Sequence, residues 1–354
     1  MAQMPAPPPA PSFAERWRRT LFGDMPSAIV SSMLLLGLAW AAWQAIRWGA
    51  LDAVVQPDPA ACRAAGGACW GVIVEKHRLV LLGRFPADER WRPVVASIGL
   101  LGAVGAAAHP RCFGRIGLLL LLAGSALFFV LMSGGVLGLS AVSSDLWGGL
   151  PLTLFLALVA CLLGVPLGIA LALARRSGLP ALRWLAGGYI EGVRGVPLIT
   201  LLFFGAFVVP LVLPPQWRLD PMLRIGVCLT MFCSAYLAEV FRGGLQAVPR
   251  GQLEAAHALG LNRWQTLTRV VLPQALRITI APTTNNFIGA VKDTSLVAIV
   301  NIYDMTGTLR LAMSDPQWQP FFVEMYLVVS AVYLAIGMSI AQYGRYLTRR
   351  YALR

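Results

Sequence analysis

Residues 152–174 read LTLFLALVACLLGVPLGIALALA, and Arg175 and Arg176 follow at once. No charged side chain interrupts the run. At 1.5 Å of rise per residue, a helix of this length crosses the roughly 30 Å hydrocarbon core of a bilayer. The rest of the chain agrees: 57% of its residues are hydrophobic and 13% are charged, about half the charge content of an ordinary soluble domain. The fold class expected is an all-α polytopic membrane protein.

Working outward, further apolar runs occupy residues 27–46, 94–108, 116–139, 196–213, 224–238, 278–300 and 321–343. Together they predict about eight transmembrane helices. Arg16, Arg18 and Arg19 precede the first run, and Arg345, Arg349, Arg350 and Arg354 follow the last. The positive-inside bias therefore predicts both termini in the cytoplasm. The Pro-rich start, Met1 to Pro11, leads into a basic stretch and then a run too long for a cleaved signal, so the first helix is expected to stay.

Three parts follow from this pattern: a cytoplasmic tail 1–26, a transmembrane extension 27–145 with an external segment 51–92, and a core 146–350 with a cytoplasmic loop 242–277. The external segment mixes both charge signs, and Lys76, Arg78, Arg84, Arg90 and Arg92 run against the charge bias there. Within it, residues 71–83 suit a helix lying in the membrane interface. Cys62 and Cys69 bracket Gly66 and Gly67 on the oxidising side, a candidate disulfide. Cys112, Cys161, Cys228 and Cys233 read as small packing residues. Gly164 and Gly168 form a small-xxx-small face around Pro166, which predicts a close helix contact and a kink.

Several functions are excluded. The net charge of +13 forms no basic stripe with interleaved aromatics, so nucleic acid is not the partner. His77, His109 and His257 share no spacing that suits a metal or acid–base chemistry. The only lysines are Lys76 and Lys292, and no Gly-rich loop ends in Gly-Lys-Ser/Thr, so the chain holds no Walker phosphate cradle. No catalytic or metal site is expected.

The cytoplasmic loop carries the most specific signal. It contains Glu254-Ala255-Ala256, then Gly260, then Val271-Leu272-Pro273. Alanines give residues 252–259 strong helix propensity, and Gly260 suits a left-handed cap. A second short helix is expected to run to Leu272. Helices this short are marginal alone in water, so the loop is expected to dock on another surface.

Glu-Ala-Ala, the spaced glycine and the hydrophobic-x-Pro resemble the EAA loop of ABC importer permeases of the type I fold. The flanks AYLAEVFRGG at 235–244, GQLE at 251–254, LPQALR at 272–277 and VKDTSL at 291–296 are similar to its polar amino acid branch. Cys69-Trp70 and Trp91-Arg92-Pro93 resemble the longer general L-amino acid permeases. The resemblance implies a five-helix permease core in a bacterial inner membrane. It also implies ABC ATPase subunits that bind ATP and Mg, a second homologous permease in a heterodimer, and a periplasmic amino acid-binding protein. Membrane lipid is the remaining partner. In that frame Glu254, Ala255, Ala256, Gly260, Leu272 and Pro273 form the coupling loop.

Polar side chains within membrane segments default to functional candidates, because burying them unpaired is costly. Glu239, Thr284, Asn285 and Asn286 are the substrate-pathway candidates, for a zwitterion needs polar partners at both ends. Glu239 has a second reading, an i,i+3 pair with Arg242 at the end of its helix. Lys292 and Asp293 point apart on a helix and read as gate or helix-end structure. The alternative function, an ion-coupled secondary transporter, requires inverted repeats that the sequence does not display. A sensor or scaffold would need a soluble domain.

Overall fold

The structure is a computed structural model that describes residues 12–214, 216 and 219–351. The predicted Pro-rich start Met1 to Pro11, the turn residue Pro215 and the tail residue Arg354 lie outside them. The chain forms two compact units that divide after Val74.

The first unit begins with α1 (Phe13–Phe22) and α2 (Met25–Ile46), the latter capped by the Asp24 side chain, which accepts from the Ser27 N–H at 2.8 Å. α2 buries none of its residues within the chain, as befits an apolar span that faces lipid. Beyond a π-turn (Arg47–Leu51) and α3 (Pro59–Ala64), Cys62 and Cys69 are joined by a disulfide with Cα atoms 5.4 Å apart. The Trp70 indole N–H donates to the Gly49 carbonyl at 2.7 Å and pins this loop.

The second unit opens within α4 (Gly71–Leu82). This helix does more than lie in the interface: the Val80 carbonyl accepts from Thr308 at 2.9 Å, and Lys76 pairs with Asp315 at 2.8 Å. That ammonium holds the Asp315 carboxyl below the usual carboxylate range. α5 (Trp91–Ala108) and α6 (Arg115–Ser133) form a helical hairpin. α6 stops at Ser133, short of the predicted Leu139, because Gly134 takes a positive φ of 64° and sends the chain back toward Ser140. The fully buried Arg92 fastens that end, donating to the Leu131 carbonyl at 2.6 Å and the Ser140 carbonyl at 3.0 Å while pairing with Glu89.

The core starts with α7 (Gly149–Arg175), whose Phe155 stacks on Phe128 of α6 with ring centres 4.5 Å apart. Between Arg176 and Val196, where no helix was predicted, the chain forms α8 (Pro180–Gly195). Its exposed Trp184 and Leu185 and its polar remainder make it amphipathic, which a search for continuous apolar runs misses. α8 turns through 104° into the segment Leu198–Val212, made of α9 (Leu198–Phe203), a π-turn (Phe204–Val208) and α10 (Val209–Val212).

α11 (Pro221–Ala247) runs on past Arg242, so the loop that follows begins about one turn later than predicted. α12 (Arg250–Ala258), α13 (Arg263–Gln265), a π-turn (Thr266–Val271) and α14 (Leu272–Ile278) build the loop. The predicted crossing 278–300 is α15 (Ile280–Asp293), which tightens into a 3-10 helix (Thr294–Val300). α16 (Met305–Ala312) and α17 (Phe322–Tyr351) complete the chain. Six helices among the described residues are long and apolar enough to cross a membrane, and a seventh crossing arises if the bent pair α8–α10 counts as one.

The most extensive helix contact is α7 on α11. A Cβ built on Gly168 would fall 2.9 Å from the Leu237 Cβ and 3.1 Å from the Ser234 carbonyl oxygen, and one on Gly164 would meet the Cys233 sulfur at 3.0 Å. In lipid, where apolar tails already solvate apolar side chains, such close backbone approach is what holds helices together. Gly168→Leu is expected to force the two helices apart and lower stability by about 3 kcal/mol. Gly226→Ala, with nothing within 4 Å of the new atom, should leave it unchanged or raise it; thermal unfolding of the two purified variants checks the contrast.

Candidate coupling loop and translocation cavity

The loop between α11 and α15 is closed by its own hydrogen bonds. α12 ends in a Schellman motif: Leu261 N–H donates to the Ala256 carbonyl at 3.1 Å, and Gly260 N–H to the His257 carbonyl at 2.9 Å. Gly260 has φ +74°, the left-handed conformation this stop requires. Two residues on, Asn262 and Gln265 form a capping box, with Gln265 N–H on the Asn262 side chain at 2.9 Å and Asn262 N–H on the Gln265 side chain at 3.0 Å. The Gln274 amide reaches back to Gln252 at 3.4 Å and ties α14 to α12.

The loop presents a definite face. Ala256 is buried and Leu253 half-buried, whereas Glu254 and Ala255 are exposed. Leu272 is half-buried and Pro273 exposed at the start of α14, where a missing N–H is tolerated. Leu259 and Trp264 flank Gly260 at 80% and 69% exposure. Both are large apolar side chains left exposed on the segment between α11 and α15.

At one end of the core, Glu239 is the hub of an ion-pair network. Its carboxylate meets Arg242 of its own helix at 2.7 Å, Arg175 of α7 at 2.9 Å and Arg194 of α8 at 3.7 Å. Arg175 also pairs with Glu191 of α8 at 2.6 Å. The i,i+3 reading of Glu239 is thus the geometry observed, extended to three helices. Arg175, Arg194 and Glu191 carried no sequence signal as partners, since they lie on helices that meet only in the fold.

Asn285 and Asn286 line a cavity of about 340 Å³ with Ala160, Leu229, Phe232, Cys233, Tyr236, Gly289, Ala290 and Asp293. Glu239 and Thr284 are not among the lining residues. Thr284 donates to the Ile280 carbonyl at 2.8 Å and packs against Gly344. Asp293, read from sequence as helix-end structure, faces the cavity. Its signal was the spacing 285, 289, 293, one side of a helix at i, i+4 and i+8. No ion pair among the described residues involves Asp293, and no cationic side chain lines the cavity.

At the opposite end, buried Asp304 caps α16, accepting from Gly307 N–H at 2.8 Å and from the Tyr333 hydroxyl at 2.7 Å. Burial pushes its carboxyl above the usual range, against the pull of these donors. Beside it, Met305 N–H donates to Thr153 at 3.0 Å and Gly149 N–H to the Tyr303 carbonyl at 3.0 Å, locking the segment after the 3-10 helix onto the start of α7.

Comparison with known proteins places this architecture. The family described as "Binding-protein-dependent transport system inner membrane component" matches residues 164–353. The chain is 38% identical to the inner membrane amino-acid ABC transporter permease protein YhdY of Escherichia coli K12, covering 94% of this chain and 92% of the relative. It is 34% identical to the glutamate/glutamine/aspartate/asparagine transport system permease protein BztC of Rhodobacter capsulatus, covering 98% and 96%. Among solved structures, an amino acid ABC transporter crystallised with histidines superposes with a TM-score of 0.52 at 28% identity, over 57% of this chain and 92% of that one.

Removing the charge of Glu239 would leave three guanidinium groups converging on an amide. Because the carboxylate is 19% exposed, the cost falls below that of a fully buried pair, at about 1–3 kcal/mol. Glu239→Gln should therefore destabilise the purified protein more than Glu191→Gln, whose side chain is 70% exposed. The order of the two unfolding temperatures checks this.

Proposed function

The chain belongs to the family of binding-protein-dependent transport system inner membrane components and is a permease subunit of an ABC importer, and we propose that its cargo is polar L-amino acids. The relatives' amino acid substrates support that cargo, as does a cavity that offers a carboxylate and two carboxamides inside an otherwise apolar core. We propose that Asn285, Asn286 and Asp293 line one half of the pathway, completed by a second, homologous permease subunit. In it the Asp293 carboxylate accepts the substrate's ammonium group.

ATP and Mg are bound by separate ATPase subunits in this reading. The coupling loop is the contact: the observation that carries it is the pair Leu259 and Trp264, exposed on either side of Gly260 on a loop held stiff at both ends. A stiff loop passes a push from the ATPase to α11 and α14 without absorbing it. The Glu239 network, joining the inner ends of α7, α8 and α11, makes those helices move together. A periplasmic binding protein delivers the amino acid to the outer face, and both termini lie in the cytoplasm of a bacterial cell.

The test is uptake of labelled amino acids by membrane vesicles carrying the assembled complex. Uptake should require internal ATP, survive a protonophore and be lost in Gly260→Asp, while the variant still inserts in the membrane. Uptake driven by an ion gradient without ATP would overturn the reading. In the same assay Asp293→Asn should weaken apparent affinity about tenfold, the worth of one charge-assisted hydrogen bond, and an unchanged KM would remove Asp293 from the pathway.

A further inference from the structure

Two arginine groups far apart in sequence meet at one corner of the protein. Arg111 and Arg115 flank the turn between α5 and α6, and Arg345, Arg349 and Arg350 end α17; all five are exposed. The Tyr343 hydroxyl of α17 donates to the Ala108 carbonyl of α5 at 2.7 Å. The Phe113 ring of the turn lies 6.1 Å from the Tyr351 ring. These contacts hold the turn against the end of α17 and gather the five guanidinium groups.

Neither element supplies a counterion. No acidic residue occurs between Glu89 and Asp145, and none follows Glu324. None of the five arginines enters an ion pair among the described residues. Arg350 instead lies over the Tyr346 and Tyr351 rings, 5.8 and 5.9 Å from their centres. Apolar side chains are exposed on the same helices: Ile116 and Leu119 on α6 are 56% and 64% exposed, and Leu334 and Met338 on α17 are 62% and 50% exposed. Basic charge, aromatic rings and an exposed apolar flank together fit a ligand with anionic head and apolar tails.

We propose that this corner binds an anionic phospholipid of the adjacent leaflet, with diphosphatidylglycerol the best fit because its two phosphates can meet the two arginine groups at once. The lipid neutralises charges that the protein leaves unpaired and bridges α17 to the α5–α6 hairpin. The proposal rests on the membrane-spanning fold and not on the identity of the cargo.

The experiment is native mass spectrometry of the assembled complex, titrated with diphosphatidylglycerol and with phosphatidylcholine. Wild type should retain diphosphatidylglycerol in preference. Each Arg→Gln change should weaken it about fivefold, so that Arg111→Gln with Arg349→Gln loses about 25-fold, from about 1 kcal/mol per basic residue at a membrane surface. Arg111→Lys with Arg349→Lys should keep most of the binding and shows that the double variant remains folded. Equal retention of the two lipids, or undiminished retention by the Gln pair, overturns the proposal. So does a lipid retained by the permease subunits alone but absent from the assembled complex, for the counterion would then be an acidic protein surface. The uptake assay separates this result from the importer reading, since ATP-dependent transport can persist when lipid binding is lost.

Discussion

The close approach of α7 and α11 is the constraint on which the other features depend. Inside a bilayer, apolar burial gives little reason for two helices to prefer each other over lipid, so packing and polar contacts must provide it. Gly164 and Gly168 let the α7 backbone sit against Cys233, Ser234 and Leu237. With the two axes held there, Tyr189 of α8 reaches the Ser234 hydroxyl at 2.9 Å, and Glu239 reaches Arg175 at 2.9 Å. The same stripe of α11, continued through Leu229, Phe232 and Tyr236, becomes a wall of the cavity. One packing decision thus sets the pathway and the ion-pair hub together.

Polar groups are spent in two different ways along this axis. At one end Glu239 is surrounded by cations, and at the other Asp304 is consumed by the Gly307 N–H and the Tyr333 hydroxyl. Both carboxylates stabilise helix ends against one another. Between them Asp293 has no such partner and faces open volume. A half-buried carboxylate without an ion-pair partner among the described residues is costly, which sets Asp293 apart from the other two.

The loop between α11 and α15 follows a separate logic. Its helices are too short to persist alone, yet the Schellman stop, the capping box and the Gln274–Gln252 bond satisfy its backbone and fix its angle. Among the side chains it leaves exposed are the large apolar Leu259 and Trp264. Unlike the cavity, the loop needs no distant contact to define its face.

The sequence by itself determined the membrane class, most of the spans, the Gly164 and Gly168 contact stripe, and the coupling loop with its Gly260 stop, because each is a local property of run length, spacing or backbone preference. It did not reveal α8, whose amphipathic face imitates a polar loop, or the stop of α6, which Arg92 fastens from 39 residues away at Leu131. Only the tertiary structure decided that Glu239 is held by three arginines, that Asp293 rather than Thr284 faces the cavity, and that Arg111 and Arg349 share a corner. These are meetings between side chains on different helices, and no spacing along one helix encodes which neighbour a charge will find across a gap.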